Sequence, residues 1–384
     1  MWKGFSGKTS SHKKYFMKLI LFVLFFIFQS GVIGQNLSGK FDSLMNAESV
    51  KRSFSGVLLI AEHGHIIYFK SYGYRDFAQK IPLEKTDIFE LASVSKQFTA
   101  MIIMMLKEKQ KLNYDDLVEK YISIPYKGIT IRQLLTHTSG LPDYQEIMDK
   151  HWDKSKVAGN QEAIEYLNIY APPALFAPGT KYTYSNTGYL LLGTIAEKAS
   201  GLDFIEMCRQ WIFRPLKMTH TDIRSLGVKA ATKNFAIGHI YVPEKKVYIR
   251  ADSFPSSDYT LWLGNRKGPG RISSTAEDLL RWDQALYTNK LISEKTIQEA
   301  FEPTVLNDGT LSAYGFGWMI SRDETLGKIV FHTGDNPGYR TQIQRFIDQN
   351  KTIILLNNNA HEDMDSIIRT STSILTSYRN MKQH

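Results

Sequence analysis

Ser93 and Lys96 stand three residues apart at the head of the stretch LASVSKQFTAMIIMML (91–106). On a helix, positions i and i+3 share a face with Cβ atoms about 5–6 Å apart, so the amine can approach the hydroxyl. A serine hydroxyl is a weak nucleophile until a neighbour accepts its proton. Desolvation disfavours an ammonium and lowers its pKa, which makes a semi-buried lysine a potential base. The chemistry on offer is acyl transfer through the serine. The same spacing also suits a helix-capping serine followed by a lysine whose stem runs along apolar surface. It recurs at Ser10–Lys13 and Ser11–Lys14, where it has no catalytic meaning. Context has to separate the two readings.

Two more short motifs supply that context. YSN (184–186) sits just before an apolar helical pattern, unlike the Y-x-N spacings at Tyr287–Asn289 and Tyr378–Asn380. HTG (332–334) occurs once, at a predicted strand end. Around them lie LLTHTSGLPDY (134–144), FAPGTKYTYSNTGYLLLG (176–193), IFRPLKMTHT (212–221) and GRISSTAEDLLRW (270–282). In this order the stretches resemble the serine β-lactamases of class C and related penicillin-binding serine hydrolases, over most of residues 50–360.

The resemblance implies an antiparallel sheet with helices on both faces beside a mostly helical subdomain, with the site between them. It implies Ser93 as the acylated nucleophile, Lys96 as its partner, and Tyr184 as general acid/base with a phenolate favoured by Lys96. Asn186 would bond Lys96 and the substrate acyl amide. His332, Thr333 and Gly334 would line the opposite wall, and the backbone N–H groups of Ser93 and Asp335 would form the oxyanion hole. Two positions depart from the β-lactamase pattern. His332 replaces the usual lysine and is largely neutral at pH 7, which weakens the pull on a substrate carboxylate. Asp335 replaces a small uncharged residue, and its carboxylate could repel that same group unless Arg340 faces the cleft and compensates. The implied function is therefore an exported serine hydrolase acting through an acyl-enzyme on esters or amides and peptides, of D-Ala-D-Ala carboxypeptidase or esterase type. A true β-lactamase and a non-catalytic penicillin-binding or sensor protein are the alternatives.

The elements that must carry these groups are legible in outline. SGVLLIAEHGHIIYFKSYGYRD (55–76) reads as two strands around the turn His63-Gly64-His65. From Phe98 onward the stretch after Ser93 is apolar on nearly every face, the mark of a helix buried all round. TIRQ (130–133) and the Ser274–Glu277 pair have capping-box spacing, and GYLLLGTIAEKASG (188–201) is a periodic helix stopped by Gly201. Residues 235–271 read as long loops over a cleft. Strands return at 314–320, 328–334, 339–347 and 351–358, and an amphipathic helix at about 361–380 closes the chain. Strands at both ends with helices between them predict an α/β (α+β) fold: one sheet built from both termini, about 36–120 and 300–384, with a helical part inserted over about 121–299.

The chain's bulk properties fit an enzyme of this kind. Its 384 residues, 43% hydrophobic and 22% charged, have ordinary globular composition. Lys13, Lys14 and Lys18 precede the apolar run LILFVLFFIF (19–28), which is too short for a comfortable membrane span and reads as a signal peptide over 1–34, with Met1 or Met17 as its start. The mature chain, 35–384, is expected in the periplasm or outside the cell without a membrane span. The leader holds five lysines and no acid, so its removal lowers the net charge from +9 to +4. That charge is too mild to argue for nucleic acid, and the partner expected is a small-molecule or peptide substrate. The single cysteine, Cys208, reads as a core residue. His137 reads as part of a buried turn with Thr136, Thr138 and Ser139. Without an H-E-x-x-H, a Cys/His cluster, a Walker loop or a dinucleotide fingerprint, no metal or cofactor is expected.

Overall fold

The computed structural model describes residues 37–51 and 53–383, so the leader assigned to 1–34 lies outside the described residues. The elements that shape the site are α1 (37–51), β1 (Gly56–Glu62), β2 (His65–Tyr72), α2 (Lys96–Glu108), α3 (Ile131–Leu135), α4 (Tyr144–His151), α5 (Asn160–Tyr170), α6 (Asn186–Ser200), α7 (Ala276–Ala285), β3 (Met319–Asp323), β4 (Gly327–Asn336), β5 (Tyr339–Phe346), β6 (Lys351–Asn357) and α8 (Met364–Gln383). The six strands form one antiparallel sheet in the order β3-β4-β5-β6-β1-β2. Its centre is the pairing of β1 with β6, from Gly56 opposite Asn357 to Glu62 opposite Lys351. The two chain ends therefore meet in adjacent strands.

Both faces of that sheet are covered, which explains why its central strands are continuous apolar runs rather than alternating ones. Side chains alternate between faces with period two. Val57, Leu59, Ile354 and Leu356 join the core made with α2 and α6, whereas Leu58, Ile60, Ile353 and Leu355 pack with Leu37 and Phe41 of α1 and Ile367 and Leu375 of α8. The β1–β2 turn has positive φ at His63 (50°) and Gly64 (75°), as a two-residue hairpin turn of type I′ requires. Thr130 and Gln133 form the reciprocal capping box at α3. Gly201 ends α6 in the left-handed region.

Three local expectations need correction. At α7 the cap lies one residue later, because Ser274 ends a short strand and bonds Thr221, leaving Thr275 to accept the Asp278 N–H. The strand expected over 314–320 begins only at Met319. Gly317 has φ +79° and approaches the backbone of Lys96 and Gln97, so the chain there turns under the start of α2. The region 235–271 is more structured than a set of loops, with a hairpin of His239–Val242 and Val247–Arg250 followed by short helices. Cys208 is fully buried, and among the described residues no helix is long and apolar enough to cross a membrane.

The sheet is tied to α7 by a buried ion pair, Arg345 Nε to Asp283 Oδ1 at 2.5 Å, with both side chains wholly excluded from solvent. Removing one partner strands a buried charge, which costs about 3–5 kcal/mol. Asp283→Ala is expected to lose that much stability, measured as a lowered urea midpoint at unchanged slope.

Candidate active site

A short 3-10 turn, Ala92–Ser95, feeds directly into α2 and presents Ser93 half-buried at the sheet–helix boundary. One turn on, Lys96 is wholly buried. Its Nζ lies 3.0 Å from Ser93 Oγ, 2.8 Å from Asn186 Oδ1 and 2.9 Å from the Pro269 carbonyl. These three partners fit a neutral amine. Two of them can only accept, and a neutral amine has two N–H groups to give them. Its lone pair would then meet the third partner, a hydroxyl able to donate, whereas an ammonium would donate to all three. Burial, reinforced by the charge of Arg266 and opposed by Asp143, pushes the Lys96 pKa well below 10.5. Burial thus favours the neutral form of Lys96, with its Nζ beside the Ser93 hydroxyl.

Asn186 opens α6, whose N-cap Ser185 accepts the Gly188 N–H. Tyr184 lies just upstream, with Lys96 Nζ 4.8 Å from its ring centroid. The phenolate expectation fails here. Lys96 lies over the ring rather than at the hydroxyl, and burial raises the Tyr184 pKa, only partly offset by the neighbouring Ser93 hydroxyl. Tyr184 therefore keeps its proton at neutral pH. Its buried hydroxyl makes no well-formed hydrogen bond among the described residues, which leaves it a free donor beside the nucleophile.

His332 is also displaced from its expected place on the wall. It is wholly buried, its Nδ1–H donates to the Thr333 carbonyl at 2.6 Å, and its Nε2 accepts from the Tyr314 hydroxyl at 2.9 Å. Burial lowers its pKa to about 3. It is a neutral scaffold behind Tyr184, with ring centroids 6.1 Å apart. His137 is buried as well and accepts the Ser185 N–H on Nδ1.

The rest of the HTG segment divides between two faces. Gly334 packs on the Leu91 carbonyl and the Thr341 hydroxyl, with no room for a Cβ, and so presses β4 against the turn that carries Ser93. Asp335 borders the Ser93 cavity, whereas Thr333 and Arg340 line a separate hollow with Glu362. Arg340 does not reach the nucleophile. Its Nε is 3.6 Å from the exposed Asp335 carboxylate and its Nη1 donates to the carbonyls of His361 and Glu362.

The cavity at Ser93 measures about 70 Å³ and is bordered by Tyr144, Gln145, Asn186, Tyr259, Arg266 and Asn336 among others. Through Tyr259, Asp335 and Asn336 it adjoins an open groove of about 950 Å³ that includes Tyr241 and Tyr248. Sequence reasoning passed over Arg266, Gln145, Tyr259 and the Pro269 carbonyl. GNRKGPG (264–270) carries only the signal of a loop. What brings it to the site is a set of distant anchors: Thr99 donating to the Gly268 carbonyl, Lys96 to Pro269, and the Ile272 N–H to Ser95 Oγ.

Known proteins share this architecture. The chain is 38% identical over 346 residues to Penicillin-binding protein 4* of Bacillus subtilis (strain 168), covering 89% of this chain and 76% of that one. The octameric penicillin-binding protein homologue from Pyrococcus abyssi superposes with a TM-score of 0.76 at 26% identity, covering 88% of this chain and 77% of that one. The D-amino acid amidase from Ochrobactrum anthropi SV3 does so with a TM-score of 0.73 at 23% identity, over 90% and 99% of the two chains, a likeness of fold alone. Residues 41–373, from α1 into α8, match the profile of one family, and with the sheet joined from both termini they show that the chain belongs to the beta-lactamase family.

Proposed function

We propose that the protein is an exported serine hydrolase that forms an acyl-enzyme on Ser93 and acts on ester or amide and peptide substrates of penicillin-binding type. Family membership and the likeness to a penicillin-binding protein support the class. The observation that carries the mechanism is the place of Lys96, wholly buried with its Nζ 3.0 Å from Ser93 Oγ, in surroundings that disfavour its charged form. In the proposed reaction Ser93 Oγ bonds to the substrate carbonyl carbon while its proton passes to Lys96 Nζ. The carbonyl oxygen takes up the electron pair and is held by the N–H groups of Ser93 and Asp335. Collapse expels the leaving group, which takes a proton from Tyr184 while Tyr184 regains one from Lys96; water then adds to the ester carbon, giving its proton to Lys96, and that proton returns through Tyr184 to Ser93 Oγ as the acid departs. Export rests on the basic, apolar leader of the sequence.

The buried, neutral His332 and the engagement of Arg340 with Asp335 favour this reading over a β-lactamase, since β4 and β5 then lack the cation that the β-lactamase pattern carries at the His332 position. The test is covalent labelling with a fluorophosphonate and mass spectrometry. One adduct is expected on wild type and none on Ser93→Ala. An unlabelled wild type, or a label that persists in the variant, would remove the catalytic reading. Parallel turnover of a nitrophenyl ester, a D-Ala-D-Ala peptide and a chromogenic cephalosporin ranks the substrate classes, and fastest turnover of the cephalosporin would replace the reading with a β-lactamase.

A further inference from the structure

Arg266 borders the Ser93 cavity and is only 6% exposed. Among the described residues no carboxylate lies within ion-pair distance of it. Its hydrogen bond is a long one, Nη1 to the Leu263 carbonyl at 3.4 Å, and its guanidinium rests 5.5 Å from the Tyr259 ring centroid. A guanidinium carries five N–H donors, so most of them are left for whatever enters the cavity. A buried charge without a partner is costly, and proteins keep one where something else supplies the partner.

The acids nearby are already committed. Glu90 binds Lys229 at 3.0 Å and the Asn336 amide, with Arg271 3.9 Å away. Burial opposes its ionisation, yet Lys229 and Arg271, with Arg266 beyond them, hold its carboxyl at about 2. Asp143 caps α4 through the Gln145 N–H, and burial pushes its carboxyl up. Asp335 is turned to Arg340. The charged side chains that border the Ser93 cavity are thus Arg266 and Asp335, and with Asp335 turned away to Arg340 the guanidinium of Arg266 is the charge left facing it. By contrast, the larger cavity of about 260 Å³ beyond Glu90 carries the ion pairs Lys229–Glu90 and Arg250–Asp252 on its wall, and its Arg75 is paired with Asp87.

The loop is also held in place. Asn160 accepts the Lys267 N–H at 2.7 Å and donates to the Lys267 carbonyl, while Lys267 Nζ pairs with Glu197 and Asp203 at 2.7 and 2.6 Å. Thr99 and Lys96 fix the next two carbonyls. Such pre-organisation lowers the ordering cost of binding.

We propose that Arg266 is a specificity-determining residue that takes a carboxylate of the substrate, so that the preferred substrates are anionic, with the carboxylate a few bonds from the reacting carbonyl. Monoesters and monoamides of short dicarboxylic acids, and acidic amino-acid residues, have this form. The substrate class rests on the serine-hydrolase reading above, but the anion site does not need catalysis to be seen. Two measurements on the folded full chain separate them, with melting temperatures checked for each variant. The first is the ratio of kcat/KM for the nitrophenyl monoester of glutaric acid to that for nitrophenyl butyrate. It is expected to fall about tenfold to a hundredfold in Arg266→Gln, chiefly through KM, and to recover in part in Arg266→Lys. The second is calorimetric binding of glutarate to Ser93→Ala, expected to weaken at least about tenfold when Arg266→Gln is added. A ratio unchanged within twofold, or glutarate that binds Ser93→Ala equally with and without Arg266 or not at all, overturns the proposal. If neither ester is turned over, the hydrolase reading falls while the glutarate result still decides the anion site.

Discussion

Lys96→Met is expected to lower kcat/KM on a nitrophenyl ester by about 10³–10⁴, and Lys96→Arg is expected to do the same. General bases contribute roughly 10²–10⁴, and among the described residues Lys96 is the basic group hydrogen-bonded to Ser93 Oγ. Methionine keeps the length and apolar stem of lysine but has no basic nitrogen. Arginine keeps a cation but stays protonated throughout the working range, so it cannot accept. Equal losses in the two variants therefore identify a base, whereas rescue by arginine would identify a purely electrostatic role and sink the proposed proton path. The pH profile carries the same information. The Lys96 pKa lies well below 10.5, so the amine is neutral, and the enzyme active, above that lowered value. Activity is lost as pH falls through it. Because Arg266 is one of the causes of the depression, Arg266→Gln should move this acid limb to higher pH, read directly from kcat/KM against pH.

How much of this arrangement was legible depended on how far apart in sequence the interacting groups lie. The Ser93–Lys96 contact is local, set by helical periodicity, as are the Thr130–Gln133 box, the His63-Gly64 turn and the Gly201 stop. The sheet could be anticipated because its apolar runs sit at both ends of the chain. The depth of Lys96 could not. It depends on Asn186 and on Pro269, which is 173 residues away, and the second of these acts through a backbone carbonyl that no residue type announces. His332 shows a subtler failure. Its motif gave the right strand, but the ring's state depends on Tyr314, and that tyrosine reaches it only because residues 314–318 turn under α2 instead of extending as a strand. Arg266 was invisible for the same reason as Pro269. A loop residue acquires meaning from the side chains that hold its neighbours, here Thr99 and Asn160.

Gly334→Ala is expected to lower kcat by about 10²–10³ while leaving Ser93 and Lys96 in place, because the residue sets the distance between the two proposed oxyanion donors. A methyl group there would run into the Leu91 carbonyl and the Thr341 hydroxyl. Thr341 Oγ1 donates to that same carbonyl at 2.8 Å, so β4, β5 and the turn before Ser93 are clamped through one point. The strand cannot absorb an added atom without backing away from residue 91, and Asp335, the next residue, moves with it. One donor would then leave the position where negative charge develops, while the other, on Ser93 itself, stays. Overpacking should also cost about 1–3 kcal/mol, visible in the urea midpoint. Thr341→Val is the control, since it deletes the hydroxyl and its bond to Leu91 without filling the gap at Gly334. It should cost stability but far less kcat. The two effects therefore separate: if Gly334→Ala is destabilised yet turns over ester at the wild-type rate, the Asp335 amide is not an oxyanion donor, whereas slow acylation by a phosphonate in Gly334→Ala but not in Thr341→Val ties the loss to the position of that N–H group.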